Sequence, residues 1–122
     1  MYHRFVTILA AVDDFLFRSK IRAVAKHVGV DIKFAQTPDE ILASARELKP
    51  ALAIIDLNST RADPIATIAA LKGDAATKDL PTIGFVSHVH ADLIAAARRA
   101  GADEVMPRSA FAARLPQILS RG

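Results

Sequence analysis

The run Ala51-Leu52-Ala53-Ile54-Ile55-Asp56 constrains the fold of this chain more than any other stretch. Its apolar residues do not alternate with polar ones, so both faces of the strand must be covered. Helices on either side of a parallel sheet provide that cover. The run ends abruptly in a carboxylate. Open α/β sheets bind their ligands beyond the carboxyl ends of the strands. Asp56 is therefore the first candidate for function.

The rest of the chain alternates in the same way. Phe5 to Val12 reads as a first buried strand, and it too ends in carboxylates, Asp13 and Asp14. The period then changes. Phe17, Ile21, Val24, Ala25 and Val28 share one helical face, while Arg18, Lys20, Arg22 and Lys26 lie off it. Gly29 suits the C-cap. Asp31 to Ala35 is a short second strand. Thr37-Pro38-Asp39-Glu40 reads as a helix start, with Thr37 as N-cap and Glu40 closing a capping box. Ile41, Leu42, Ala45 and Leu48 face inward, and Lys49-Pro50 stops this helix.

Beyond Asp56, Asp63-Pro64 reads as N-cap and first-turn proline of a third helix, with Ile65, Ile68, Ala69 and Leu71 inward. Thr82 to Val86 is a fourth strand ending at Ser87. The fourth helix has Leu93, Ala96, Ala97 and Ala100 inward and Arg98-Arg99 on its wet side. Gly101 ends it. Asp103 to Met106 is the fifth strand. Ser109 is placed to cap the last helix, whose inward residues are Phe111, Leu115, Ile118 and Leu119. Pro116 removes a backbone donor within that helix, so a break is expected near Arg114. The pattern is β-α repeated five times. It predicts one domain over residues 1–122, a doubly wound five-stranded parallel sheet with helices on both faces.

Composition narrows the class. With 122 residues, 52% hydrophobic and 24% charged, the chain can bury one sizeable core. No apolar run approaches the roughly 18 residues of a membrane helix. The N-terminus has no secretory signal pattern, so a cytoplasmic location is expected. There is no cysteine, which excludes disulfides, thiol nucleophiles and cysteine metal sites. The net charge of +3 comes from scattered basic residues, a pattern that argues against nucleic acid as a partner.

In the doubly wound order 2-1-3-4-5, strands one and three are neighbours at the switch point. That order brings Asp13, Asp14 and Asp56 into one crevice. Like charges so placed need a cation or a raised pKa. Oxygen donors suit a hard divalent ion, Mg²⁺ above all. Ser87 and Arg108 fall at the same edge of the sheet, where a hydroxyl and a guanidinium suit a phosphoryl group. A purely structural role competes for Asp14, which is also placed to cap the first helix.

On these residues the chain resembles a response-regulator receiver domain over nearly its whole length. Val12-Asp13-Asp14-Phe15 is similar to the family's acidic pair after strand one. Asp56-Leu57-Asn58 is similar to its phosphoacceptor segment, and Asp63 to the acidic residue of the following loop. Leu80-Pro81, Ser87 and Ala100-Gly101-Ala102-Asp103 match further positions. The resemblance implies a flavodoxin-like fold and phosphoryl transfer to Asp56. It implies Mg²⁺ held by Asp13, Asp14, Asp56 and the backbone carbonyl of Asn58, with Ser87 and Arg108 sensing the result. The implied partner is a sensor histidine kinase or another signalling protein, with a homodimer through the helix 4–strand 5–helix 5 face. Any catalysis is limited to the domain's own phosphorylation and dephosphorylation.

Several positions depart from the family. Arg108 replaces its lysine, Ser109 follows where a proline is usual, and Pro107 comes one residue early. Thr60, Pro64 and Val105 stand for a proline, a glycine and an aromatic. Arginine is not a neutral exchange for lysine in a tight site. These departures motivate an alternative: a phosphorylation-independent pseudo-receiver acting as a docking or dimerisation module.

Other motifs carry less. His88 and His90 lack a third ligand other than Asp92, so a zinc site is not expected. His88 is expected near the rim of the acidic crevice, and Arg61 reads as a solvated loop residue. Gly73 to Asp79 is too poor in glycine for a phosphate-binding loop. Asn58 stands where one class of phosphohydrolase needs a second aspartate, which argues against that chemistry.

Overall fold

The computed structural model describes residues 6–87 and 90–121. Its strands are β1 (Thr7–Ala11), β2 (Asp31–Phe34), β3 (Leu52–Asp56), β4 (Thr82–Val86) and β5 (Glu104–Pro107). Its helices are α1 (Phe15–Val28), α2 (Pro38–Leu48), α3 (Pro64–Gly73), α4 (Ala91–Ala100), α5 (Arg108–Ala113) and α6 (Leu115–Leu119). The sheet order is β2-β1-β3-β4-β5, and every neighbouring pair is parallel. This is the doubly wound topology expected from the alternating pattern. No helix of the described residues is long and apolar enough to cross a membrane.

The strands feed two separate cores, one on each face of the sheet. Ile8, Ala10, Leu52, Ile54, Ile83 and Phe85 pack on one side with Phe17 and Ile21 of α1 and with Phe111, Leu115 and Ile118 of α5 and α6. Leu9, Ala11, Ala53 and Ile55 pack on the other with Ile41 and Ala45 of α2, Ile68 and Leu71 of α3, and Ala97 of α4. The strand period of two sends alternate residues to opposite cores, so an apolar run without alternation is what such a strand requires. Each fully buried isoleucine or leucine contributes about 1.5–3 kcal/mol relative to exposure.

Local signals set most boundaries. Asp14 caps α1, accepting from the N–H groups of Leu16 (2.9 Å) and Phe17 (3.2 Å), and Gly29 ends it in the left-handed region at φ 81°. Thr37 Oγ1 accepts from the Glu40 N–H at 3.3 Å. The Glu40 carboxylate overshoots the expected box and accepts from Gln36 N–H at 3.1 Å. Gly101 closes α4 at φ 115°. The last helix breaks at Arg114, as Pro116 requires, giving α5 and α6.

The structure corrects other expectations. Asp63 does not cap α3: its φ of 43° is left-handed, whereas a capping side chain needs an extended backbone to reach the next N–H groups. Thr67, not Ala69, lies inward on α3, because a helix starting at Pro64 turns Ala69 to solvent. Leu48, at the end of α2, is 43% exposed. Ser109 caps nothing. β5 runs on to Pro107 and α5 begins at Arg108, which places Ser109 inside the helix. Val12 and Ala35 are buried just beyond β1 and β2 rather than within them, and Phe5 lies outside the described residues.

Candidate functional site

The site lies at the carboxyl end of the sheet, where β1 and β3 are neighbours. Asp56 is the last residue of β3 and pairs in register with Phe85 of β4. It is only 8% exposed. Its Oδ1 accepts the Asn58 N–H at 2.9 Å. Burial pushes its carboxyl above the ordinary range. The Asn58 N–H and the Arg108 guanidinium work against that rise, while the charges of Asp13 and Asp14 add to it. Two acidic neighbours and one cation therefore act on Asp56 at close quarters, as the switch-point topology requires.

Each neighbour is already engaged. Asp13, two residues beyond β1, accepts from the Ser59 hydroxyl at 2.6 Å through Oδ2. Its Oδ1 is buried without a hydrogen-bond partner. Ser59 is itself buried and accepts the Ala62 N–H at 3.2 Å, so one hydroxyl links the acidic pair to the loop after β3. Asp14 caps α1 with Oδ1 and forms an ion pair with Arg108 through Oδ2 at 2.9 Å. The Arg108 hydrogen bond, reinforced by the Phe17 N–H, holds the Asp14 carboxyl below its usual range.

Arg108 opens α5. Its guanidinium lies over the Phe17 ring, 4.1 Å from the centroid. That ring meets Phe85 edge-on at 5.3 Å, and Phe111 stacks on Phe85 at 4.8 Å. Side chains from α1, β4 and α5 thus form an aromatic mount beneath the cation. Ser87 is exposed just past β4, and its N–H donates to Asn58 Oδ1 at 2.7 Å. Gly84 makes room for the loop: a Cβ there would meet Leu57 Cδ1 at 2.9 Å. Arg108, Ser87, Phe17, Leu16 and Lys20 also line an open cleft of about 670 Å³ beside the acidic crevice.

The donors Asp13 and Asp56 are hard oxygens, and the unpartnered Asp13 Oδ1 fits an incoming cation. Asp14 fits less well as it stands, because its Oδ2 is paired with the Arg108 guanidinium, which competes with a cation there. Among the described residues, no three His, Cys, Asp or Glu side chains are grouped as a metal site. His88 lies outside the described residues, and with it the His88–His90 pair and the placing of His88 at the crevice rim. Arg61, Arg98 and Arg99 are exposed. The resemblance to receiver domains implies the Asn58 carbonyl; neither it nor the residue pattern signals the Asn58 side chain, Ser59 or the ring of Phe17 as parts of the site. Ser59 was visible only as a hydroxyl three residues after Asp56.

No family model matches the chain, and no curated protein matches it in sequence. Solved structures do. A response regulator from Hahella chejuensis superposes with a TM-score of 0.84 at 22% identity, covering 94% of this chain and 92% of that one. The phosphorylated cyanobacterial phytochrome response regulator RcpA gives 0.79 at 20%, covering 97% and 91%. The fold is that of response-regulator receiver domains. The Mn²⁺-bound form of the response regulator Rcp1 shares it, with a TM-score of 0.73 at 16% identity over 95% of this chain and 90% of that one. On the receiver fold, β3 delivers Asp56, the β1–α1 turn delivers Asp13 and Asp14, and the β5–α5 junction delivers Arg108.

Proposed function

We propose that this receiver-fold domain works in two-component signal transduction and accepts a phosphoryl group on Asp56. The observation that carries the reading is Asp56 itself: a buried carboxylate at the switch point, under the charge of Asp13, Asp14 and Arg108. An Asp56 oxygen would attack the phosphorus of a donor such as a phosphohistidine of a sensor kinase, and the bond to the leaving nitrogen would break. Asp13, Asp56 and the Asn58 carbonyl would hold Mg²⁺, joined by Asp14 once freed. The ion, when bound, neutralises charge on the transferring group. Arg108 would supply the positive charge that the family's lysine supplies, and Ser87 would meet the phosphoryl oxygens from β4. The phosphorylated RcpA and Mn²⁺-bound Rcp1 structures support this chemistry for the fold.

Adding beryllofluoride with Mg²⁺ tests the reading. Amide resonances around Asp56, Asn58 and Ser87 should move together in slow exchange. A spectrum that does not change overturns it. The Arg108–Asp14 pair favours a second reading, a docking module that never takes phosphate, since it neutralises the acidic pair from within. In that case an Asp56→Asn variant keeps full partner binding and wild-type protein takes no label from a phosphodonor.

A further inference from the structure

We propose that Arg108 is a positioning residue that latches Asp14 away from the metal site, so that a divalent ion gains Asp14 as a ligand, and its full affinity, only as the latch opens. The proposal rests on the metal-dependent reading above. Three contacts build the latch. The guanidinium donates to Asp14 Oδ2 at 2.9 Å. Its Cζ lies over the Phe17 ring, 4.1 Å from the centroid. The other carboxylate oxygen of Asp14 is committed to the N–H groups of Leu16 and Phe17. While the pair is closed, Oδ1 of Asp14 is filled and Oδ2 is held towards the guanidinium, so the ligands left unrestrained in the crevice are Asp13 and Asp56.

An arginine does what a lysine would not. Its planar fork can hydrogen-bond a carboxylate and lie over an aromatic ring at once, while an ammonium is a point charge with strong hydration. Pro107, at φ −62° and ψ 149°, turns the chain from β5 into α5 and starts the helix at Arg108. The latch also has somewhere to open. Arg108 borders the cleft with Leu16, Lys20 and Ser87, and its side chain is already 33% exposed, so the guanidinium leaves without unpacking the core. The device matches the acidic pair to an internal cation in the resting protein and makes metal affinity depend on one side chain.

The test is a Mn²⁺ titration by calorimetry of the wild-type protein, Arg108→Gln and Arg108→Lys. Arg108→Gln should bind Mn²⁺ about two- to fivefold more tightly than wild type, the effect of deleting one competing, partly exposed ion pair. Arg108→Lys should fall between the two, because charge remains while the stacked fork is lost. A second readout uses the unmodified protein: Mg²⁺ should shift the Arg108 Nε–H resonance as the guanidinium leaves Asp14. Equal affinities, or an Arg108 signal that stays fixed while amides near Asp56 respond to Mg²⁺, overturn the latch and leave the receiver reading standing. Absence of metal binding by both wild type and Arg108→Gln overturns the two together.

Discussion

Replacing Phe111 by leucine probes the mount on which the site is built. Phe111 is fully buried. Its ring stacks on Phe85 at 4.8 Å and 13°, and meets Phe17 at 5.9 Å and 59°. Leucine retains most of the apolar burial but loses both ring contacts. Aromatic pairs contribute about 0.5–1.5 kcal/mol each beyond their area, so the variant should lose about 2 kcal/mol. Unfolding entropy is roughly 2.1 cal/mol/K per residue, and over a chain of this length the midpoint should fall by about 8 °C. Urea denaturation followed by circular dichroism reads the loss, with an unchanged m-value showing that the unfolded state is not altered. Phe111→Ala sets the scale at about 3–5 kcal/mol. A loss below about 0.5 kcal/mol for the leucine variant would mean that the three rings do not pack as described. The cation mount inferred for Arg108 would fall with them.

Two further outcomes follow from individual contacts. Gly84→Ala should destabilise by about 1–3 kcal/mol in the same denaturation assay, since its Cβ would press Leu57, the residue after Asp56, at 2.9 Å. Asp103 accepts from Thr82 N–H at 2.8 Å and from Lys72 Nζ at 3.0 Å. Burial alone would raise its carboxyl, but the Thr82 and Lys72 contacts outweigh it and hold the carboxyl below the usual carboxylate range. Its folded pKa lies below the unfolded one, so its contribution is present above about pH 4 and is lost as pH falls through the folded value. Asp103→Asn should therefore cost about 1 kcal/mol at pH 7, a figure kept small by the half-exposed carboxylate, and the difference from wild type should shrink in acid.

The sheet was legible because its signals are local. Leu52 to Ile55 shows no alternation, Gly29 and Gly101 supply left-handed caps, and Pro116 breaks a helix whatever surrounds it. The failures were local geometry that composition does not encode. Asp63 carries a good capping side chain on a backbone that cannot use it. Ser109 comes after a strand that ends one residue later than its apolar run, at Pro107, and so falls inside the helix. The acidic residues of the site were legible because strand ends and topology place them. Their partners were not. Ser59 reaches Asp13 across 46 positions of sequence, and Arg108 reaches Asp14 across 94. Where a long side chain points is decided by packing, here by the ring of Phe17, and no spacing rule reveals it.

The central claim is that Asp56 takes a phosphoryl group. Intact-mass analysis after incubation with acetyl phosphate and Mg²⁺ tests it most directly, comparing wild type with Asp56→Asn. The account predicts that wild type gains the mass of one phosphoryl group and that Asp56→Asn gains none. A wild-type protein that binds Mg²⁺ yet stays unlabelled, or a variant labelled as fully as wild type, would contradict it.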